Sequence, residues 1–204
     1  MKTMFFPVKF RNSISSSELR SISKSLPKKL AIAYSIQYLD FAENLKKELF
    51  KNHKILNFIQ ILGCSKPVFS KEIEGVLIIS DGRFHALSLA HEIQKPTYLL
   101  ERGKLIRISE NEAEIIEKKR KAAYVNFLNS SSAGVLISTK PGQEKLSRAF
   151  NLKKKFQDKK MYFFISNEIN LKEIENFGLS SWINTACPRL DNDNPRIINI
   201  SEIL

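Results

Sequence analysis

The 204-residue chain is poor in cysteine: it has two, Cys64 and Cys187. Two cysteines do not make a disulfide framework, and a reducing compartment would disfavour a bridge between them. No Cys-x-x-Cys pair is present, so the usual zinc spacing is missing. No apolar run approaches the ~20 residues needed to cross a bilayer. The opening Met1-Lys2-Thr3-Met4-Phe5-Phe6-Pro7 is too brief for the apolar region of a signal peptide and shows no small-residue cleavage site. A cytoplasmic location without a membrane partner is therefore expected. The phosphate-binding spacing Gly-x-x-x-x-Gly-Lys-Ser/Thr and the dinucleotide fingerprint Gly-x-Gly-x-x-Gly are both absent. A Ser–His–Asp triad has no nucleophile elbow to support it. No RNA-recognition signature with interleaved aromatics appears, so nucleic acid is not the expected partner.

What the chain does contain reads as soluble and globular: 43% hydrophobic residues and 26% charged ones. Its length suffices for one large or two small α/β units. The net charge is +12. A basic protein is drawn to polyanions or to acidic protein surfaces. The lysines cluster on helix-like stretches: Lys118-Lys119-Arg120-Lys121, Lys153-Lys154-Lys155 and Lys159-Lys160. Two readings fit them, a solvated face or steering toward an acidic or RNA-rich partner.

Short apolar runs alternate with amphipathic stretches. Leu30–Ile36, Ile55–Leu62, Gly75–Ser80 and Pro96–Leu100 read as strands, with Leu105–Ile108 as an edge partner. Tyr38–Asn52 and Phe84–Ile93 read as helices between them. A charged helix over Asn111–Asn129 turns Ala113, Ile116, Ala123 and Phe127 toward a core. The pattern then restarts: strand Gly134–Ser138, helix Gln143–Phe156, strand Met161–Ile165, short helix Leu171–Phe177, and strands Trp182–Ala186 and Arg196–Ile200. Near-continuous apolar strands alternating with helices imply parallel sheets covered on both faces. The fold class is α/β, with two similar small parallel-sheet βα domains. Residues 1–110 form a domain carrying Cys64, and 111–204 one carrying Cys187. They read as related units without sequence repetition. The segment before Pro27 is the least regular: Phe5–Phe10 is strand-like, and the Ser-rich Ser13–Ser25 reads as a surface loop.

Active groups in such sheets sit past the carboxyl ends of the strands. Both cysteines qualify. So do Asp81-Gly82-Arg83-Phe84-His85, Ser138-Thr139-Lys140-Pro141-Gly142-Gln143 and Ser166-Asn167-Glu168. The turn at Gly82 opens a helix, whose first N–H groups suit a carboxylate or phosphate, with Arg83 able to add a bidentate contact. On spacing alone, a capped strand–helix turn with a structural histidine is the favoured reading. Gly142 offers a second such turn, lined by Thr139 or Lys140. His53 is expected in a solvent-facing polar turn, and His91 packed or exposed on a helix. Thiolates from distant strand ends can converge on one metal site, and iron–sulfur clusters favour them. Two alone cannot anchor a cubane that needs three protein ligands.

Taken in order, Leu62-Gly63-Cys64, Asp81-Gly82-Arg83-Phe84-His85, Ser138-Thr139-Lys140-Pro141-Gly142-Gln143, Ser166-Asn167-Glu168-Ile169 and Ala186-Cys187-Pro188-Arg189-Leu190-Asp191 resemble one family. It is that of diphthamide biosynthesis, specifically the archaeal 2-(3-amino-3-carboxypropyl)histidine synthase. The resemblance runs from about Leu30 to the end. It implies three similar α/β domains around a pseudo-threefold centre, each giving one cysteine to a 4Fe-4S cluster. S-adenosylmethionine would bind the iron that lacks a cysteine. The enzyme would be a non-classical radical transferase, without the Cys-x-x-x-Cys-x-x-Cys run of ordinary radical enzymes of this kind. Cleavage of the Cγ–S bond would give a 3-amino-3-carboxypropyl radical, added to a histidine of translation elongation factor 2.

By matching motif, Cys64 and Cys187 are the implied metal ligands of the second and third domains. Arg83, Gln143, Glu168 and Arg189 are the implied contacts to S-adenosylmethionine, and His85 is structural. No catalytic residue is assigned. The family's first domain, with its Tyr-Gly-Ala-Cys-like motif, has no counterpart here. The expectation is a split enzyme whose first domain is a separate polypeptide, assembled as a dimer of the reconstituted unit, with the basic surface helping to dock the elongation factor. Two alternatives stay open. One is a catalytically degenerate supporting subunit; the other is a basic α/β module binding a nucleotide or RNA.

Overall fold

Apolar strands and amphipathic helices build two compact units, Met1–Glu114 and Ile115–Leu204. The structure is a computed structural model and describes residues 4, 6, 8–11, 14–62, 67–190 and 194–203. The first unit runs α1 (Ser16–Ser25), β1 (Lys29–Tyr34), α2 (Leu39–Leu49), β2 (Lys54–Gln60), β3 (Gly75–Ile79), α3 (Phe84–Ile93), β4 (Thr97–Glu101) and β5 (Lys104–Arg107). Its sheet has the order β2-β1-β3-β4-β5. All neighbours are parallel except β4 and β5, which form an antiparallel edge. Leu30 to Tyr34 and all of β3 are buried, as a parallel sheet with helices on both faces requires. One face packs Leu30, Ile32 and Leu77 with α1 and α2; the other packs Ala31, Val76 and Ile78 with Ala86 and Leu89 of α3.

Helix α4 (Glu110–Asn129) leads into the second unit. There follow β6 (Ser132–Ser138), α5 (Leu146–Lys155), β7 (Lys160–Ser166), β8 (Trp182–Asn184) and β9 (Ile197–Asn199). The sheet order is β7-β6-β8-β9, all parallel. Both sheets thus place their strands second-first-third-fourth, so the two units share a topology, and the expected α/β class holds. Ala123 and Phe127 of α4 are buried against β6 and α5, while Ile116 is only half-buried. Trp182 centres the opposite face, with Phe164 at 4.9 Å and Phe177 at 6.1 Å between ring centroids.

The N-terminal segment departs from the sequence reading. From Ser16 to Ser25 the Ser-rich stretch is helix α1, not a surface loop; Ser13 lies outside the described residues. Serine favours loops, but Ser15 here caps the helix. Its hydroxyl accepts the Glu18 N–H at 3.3 Å, and the Glu18 carboxylate accepts the Ser15 N–H at 2.9 Å. The Ser15 hydroxyl bond also holds the Glu18 carboxyl below its usual range. Leu19, Ile22 and Leu26 then fall on one face and pack on the core. Ser15→Ala is expected to lower stability by about 1 kcal/mol, read as a shifted denaturant midpoint at unchanged slope.

The expected strand at Phe5–Phe10 is also not formed: the described residues 4, 6 and 8–10 are non-regular, and Phe5 and Pro7 lie outside the description. Phe10 instead packs against Tyr38, tilted, at 4.5 Å and edge-on against Phe41 at 5.7 Å between ring centroids. His53 is not solvent-facing, being 6% exposed. Its Nδ1–H donates to the Pro27 carbonyl at 2.8 Å, and the Ser23 hydroxyl lies 2.8 Å from Nε2, so the ring fastens α1 to the start of β1.

The lysine clusters are partly structural. Lys159 Nζ donates to the Leu128 and Ser130 carbonyls at 2.8 and 2.6 Å, where the helix dipole of α4 ends. Lys155 Nζ donates to the Ile203 carbonyl at 2.9 Å. Among the described residues, no helix is long and apolar enough to cross a membrane.

Candidate functional site

In the first unit, the ends of three strands are level. Tyr34 pairs with Gln60 and Ile79. The Ser35 N–H then donates to the Ile79 carbonyl at 3.1 Å, and the Ile61 N–H to the Tyr34 carbonyl at 2.8 Å. The segments after β1, β2 and β3 therefore leave from one sheet edge, the carboxyl edge where α/β ligand sites form. Cys64 follows β2 by four residues in the sequence but lies outside the described residues, as does Asp191 at the end of the last motif.

After β3, Gly82 adopts φ +74°, a left-handed conformation open to glycine. Its N–H donates to the Glu101 carboxylate at 2.6 Å. The Tyr38 hydroxyl donates to Asp81 at 2.6 Å, and Arg102 lies 3.7 Å from the same carboxylate. Burial, then Asp81, pushes the Tyr38 hydroxyl pKa up. Arg83 Nη2 pairs with Glu112 at 2.6 Å. Glu112 also caps α4 by accepting the Ser109 N–H at 3.1 Å and hydroxyl at 2.9 Å. These Ser109 bonds first, and Arg83 after them, hold the Glu112 carboxyl below its usual range. The turn expected to take an anion thus already has Gly82 N–H and Arg83 engaged by the chain's own carboxylates. Ser35 and Ser80, at the ends of β1 and β3, bury hydroxyls that have no hydrogen-bond partner among the described residues.

The second unit repeats the level edge. Ser138 pairs with Ser166 and Leu136 with Asn184. The Thr139 N–H donates to the Ser166 carbonyl and the Thr185 N–H to the Leu136 carbonyl, both at 3.0 Å. Gln143 is half-buried and closes the turn through its N–H to the Lys140 carbonyl at 3.0 Å, with Gly142 at φ +79°. Lys140 Nζ stands 3.6 Å from the Glu168 carboxylate, whose side chain is 83% exposed. Gln143 and Glu168 are therefore brought together, through Lys140, on adjacent loops. Arg189 is exposed in the turn that carries Cys187.

Cys187 is half-buried and unbridged. Its loop is held by two buried amides that the sequence reading missed. Asn184 is 1% and Asn199 3% exposed, side by side on β8 and β9. Asn184 Oδ1 accepts the Ala186 N–H at 2.9 Å. Asn184 Nδ2 donates to the Cys187 carbonyl at 2.7 Å and to Asn199 Oδ1 at 2.6 Å. Asn199 Nδ2 donates to the Pro188 carbonyl at 3.1 Å. The signal was present in the sequence: an asparagine inside each of two apolar runs, Trp182–Ala186 and Ile197–Ile200, is a polar group that burial obliges to find partners.

A family model described as "Putative diphthamide synthesis protein" matches residues 1–196. The chain belongs to this diphthamide synthesis family. It is 32% identical over 184 residues to the 2-(3-amino-3-carboxypropyl)histidine synthase of Methanocaldococcus jannaschii, covering 84% of this chain and 48% of the relative. It is 29% identical over 137 residues to the synthase of that name from Pyrococcus horikoshii, covering 66% of this chain and 40% of the relative. The crystal structure of Dph2 from Pyrococcus horikoshii with a 4Fe-4S cluster superposes with a TM-score of 0.75 at 23% identity, over 92% of this chain and 59% of that one. At that identity the likeness shows the fold. This diphthamide synthesis chain spans less than half the length of the two curated relatives.

The donor chemistry of this loop suits an iron–sulfur cluster. Cys187 is a soft thiol outside any disulfide, on a strand-end loop with a fixed backbone. Among the described residues no group of three or more His, Cys, Asp or Glu could hold a metal ion by itself.

Proposed function

We propose that these residues form the C-terminal part of a split 4Fe-4S, S-adenosylmethionine-dependent 3-amino-3-carboxypropyl transferase. Its acceptor is a histidine of translation elongation factor 2, and the reaction opens diphthamide biosynthesis in the cytoplasm. The observation that carries this reading is Cys187, an unbridged thiol on a clamped strand-end loop in a chain of this family. The two units correspond to the family's second and third domains, with Cys64 and Cys187 as their ligands. The chain has two cysteines, so the third thiolate comes from outside these 204 residues. A separate polypeptide carrying the first domain supplies it, and the reconstituted unit pairs as a dimer.

When bound, the cluster supplies the electron that breaks the Cγ–S bond of S-adenosylmethionine. The chain's own residues bind and orient that substrate. Arg189, and Arg83 once released from Glu112, suit its carboxylate. Glu168 suits its ammonium or sulfonium charge, and the Gln143 amide suits polar edges of the nucleoside. The net charge of +12 favours encounter with an acidic elongation factor surface. Retention of both cysteines favours an active part over a supporting one.

The test is anaerobic iron–sulfur reconstitution of this chain with and without a first-domain polypeptide. Stable visible absorbance and full iron content are expected only in the mixture. The mixture should then transfer label from the aminocarboxypropyl carbons of S-adenosylmethionine to elongation factor 2. A stable cubane on this chain alone would overturn the missing-ligand argument.

A further inference from the structure

We infer that Asn184 and Asn199 are positioning residues that set the direction in which Cys187 presents its thiolate. The inference rests on the reading of Cys187 as a cluster ligand. Three consecutive residues of the loop, Ala186, Cys187 and Pro188, each have a backbone group bonded to this amide pair, at 2.9, 2.7 and 3.1 Å. The two amides are in turn bonded to each other at 2.6 Å. Thr185 pins the approach, giving both its N–H and its hydroxyl to the Leu136 carbonyl at 3.0 and 2.8 Å. The Leu190 N–H returns to the Cys187 carbonyl at 3.2 Å, closing the turn. With the main chain fixed on both sides, the thiol retains only its own side-chain rotation. A ligand held this way reaches the metal without a further cost in ordering the loop.

The topology gives an independent argument. In the first unit the strands in the places of β8 and β9 are β3 and β4, whose last buried residues, Ile79 and Leu100, are apolar. No cysteine follows β3; the segment there is Ser80-Asp81-Gly82. The buried amide pair thus occurs at the strand pair whose loop carries the thiol. Packing alone would be served as well by two aliphatic side chains, because buried amides gain little net stability over a well-packed apolar pair.

Two variants of the full chain test this, Asn184→Asp and Asn199→Asp. The first keeps the acceptor for the Ala186 N–H but loses both donated bonds. The second keeps the acceptor for Asn184 and loses only the bond to the Pro188 carbonyl, so it remains informative if the first fails to fold. In a Cys64→Ala background, where Cys187 is the sole thiol, its alkylation by iodoacetamide in the cluster-free chain should accelerate about tenfold, as a released loop opens more often. In the reconstituted assembly of Cys64-containing chains, the cluster's reduction potential and EPR signature should shift. An alkylation rate unchanged from the parent, or one that rises only in step with global unfolding, would overturn the positioning role. If no cluster forms even in the parent mixture, the ligand reading fails, while the alkylation arm still decides whether the amides fix the loop.

Discussion

Replacing Cys187 with alanine should abolish cluster retention in the reconstituted assembly while leaving this chain folded, and Cys64→Ala should do the same. The chemistry decides the first half. An iron–sulfur cubane is held by thiolates, and an alanine methyl supplies no donor. With only two cysteines in the chain, no neighbouring thiol can substitute. The geometry decides the second half. The Cys187 thiol is half-buried and outside any disulfide, and its loop is fixed through backbone groups that alanine retains. Loss of one part-buried sulfur should cost below about 1 kcal/mol of stability. Iron content and visible absorbance after anaerobic reconstitution measure the first effect, and thermal unfolding of the isolated chain the second. Cys187→Ser separates donor type from shape: a hard oxygen replaces a soft sulfur at nearly the same place, so iron should be held weakly and lost to a chelator. Full iron retention in both alanine variants would remove the metal-ligand role from these residues.

Much of the framework could be read from apolar runs. Gly75–Ile79 is buried along its whole length, and a continuous apolar stretch bounded by polar residues announces such a strand. Helix α3 spans Phe84–Ile93, the range its sequence pattern indicates. Strands that end in polar, glycine-containing segments also mark where the loops of a parallel sheet gather, so the candidate loops were legible. What escaped depends on partners remote in sequence. The serines of α1 look loop-forming until Glu18 and the Leu19, Ile22 and Leu26 face are taken together. His53 looks solvent-facing until Ser23 and Pro27 meet its two nitrogens. Gly82 and Arg83 look available to a ligand, yet Glu101 and Glu112, well downstream, occupy both. The lysine runs read as one charged face, but Lys155 and Lys159 terminate chain segments by bonding their carbonyls. In each case composition gives the local tendency, and a tertiary hydrogen bond decides the outcome.

A side chain at Gly134 should strongly destabilise the second unit. Gly134 of β6 lies opposite Trp182 of β8 in the parallel register. A β-carbon there would overlap the six-membered ring of Trp182, at Cε3 and Cζ3. The indole has little freedom to yield. It is 1% exposed, stacked against Phe164 at 4.9 Å, and its Nε1–H donates to the Leu179 carbonyl at 3.3 Å. Gly134→Ala should therefore cost about 1–3 kcal/mol through overpacking, and Gly134→Val more. Trp182→Ala, which empties the same space, should cost about 3–5 kcal/mol. Because the two residues touch, the pair should be strongly non-additive: Gly134→Ala made on a Trp182→Leu background should cost less than on the parent. Denaturant midpoints for the four proteins of that cycle measure the coupling. The strain also has a path to the site, since β8 runs from Trp182 to Asn184, whose amide holds the Cys187 loop. Gly134→Ala should thus lose cluster iron under conditions where the sheet is still folded. Retained iron with an unchanged midpoint would mean that Trp182 can rotate away, and that the contact between β6 and β8 is looser than its packing implies.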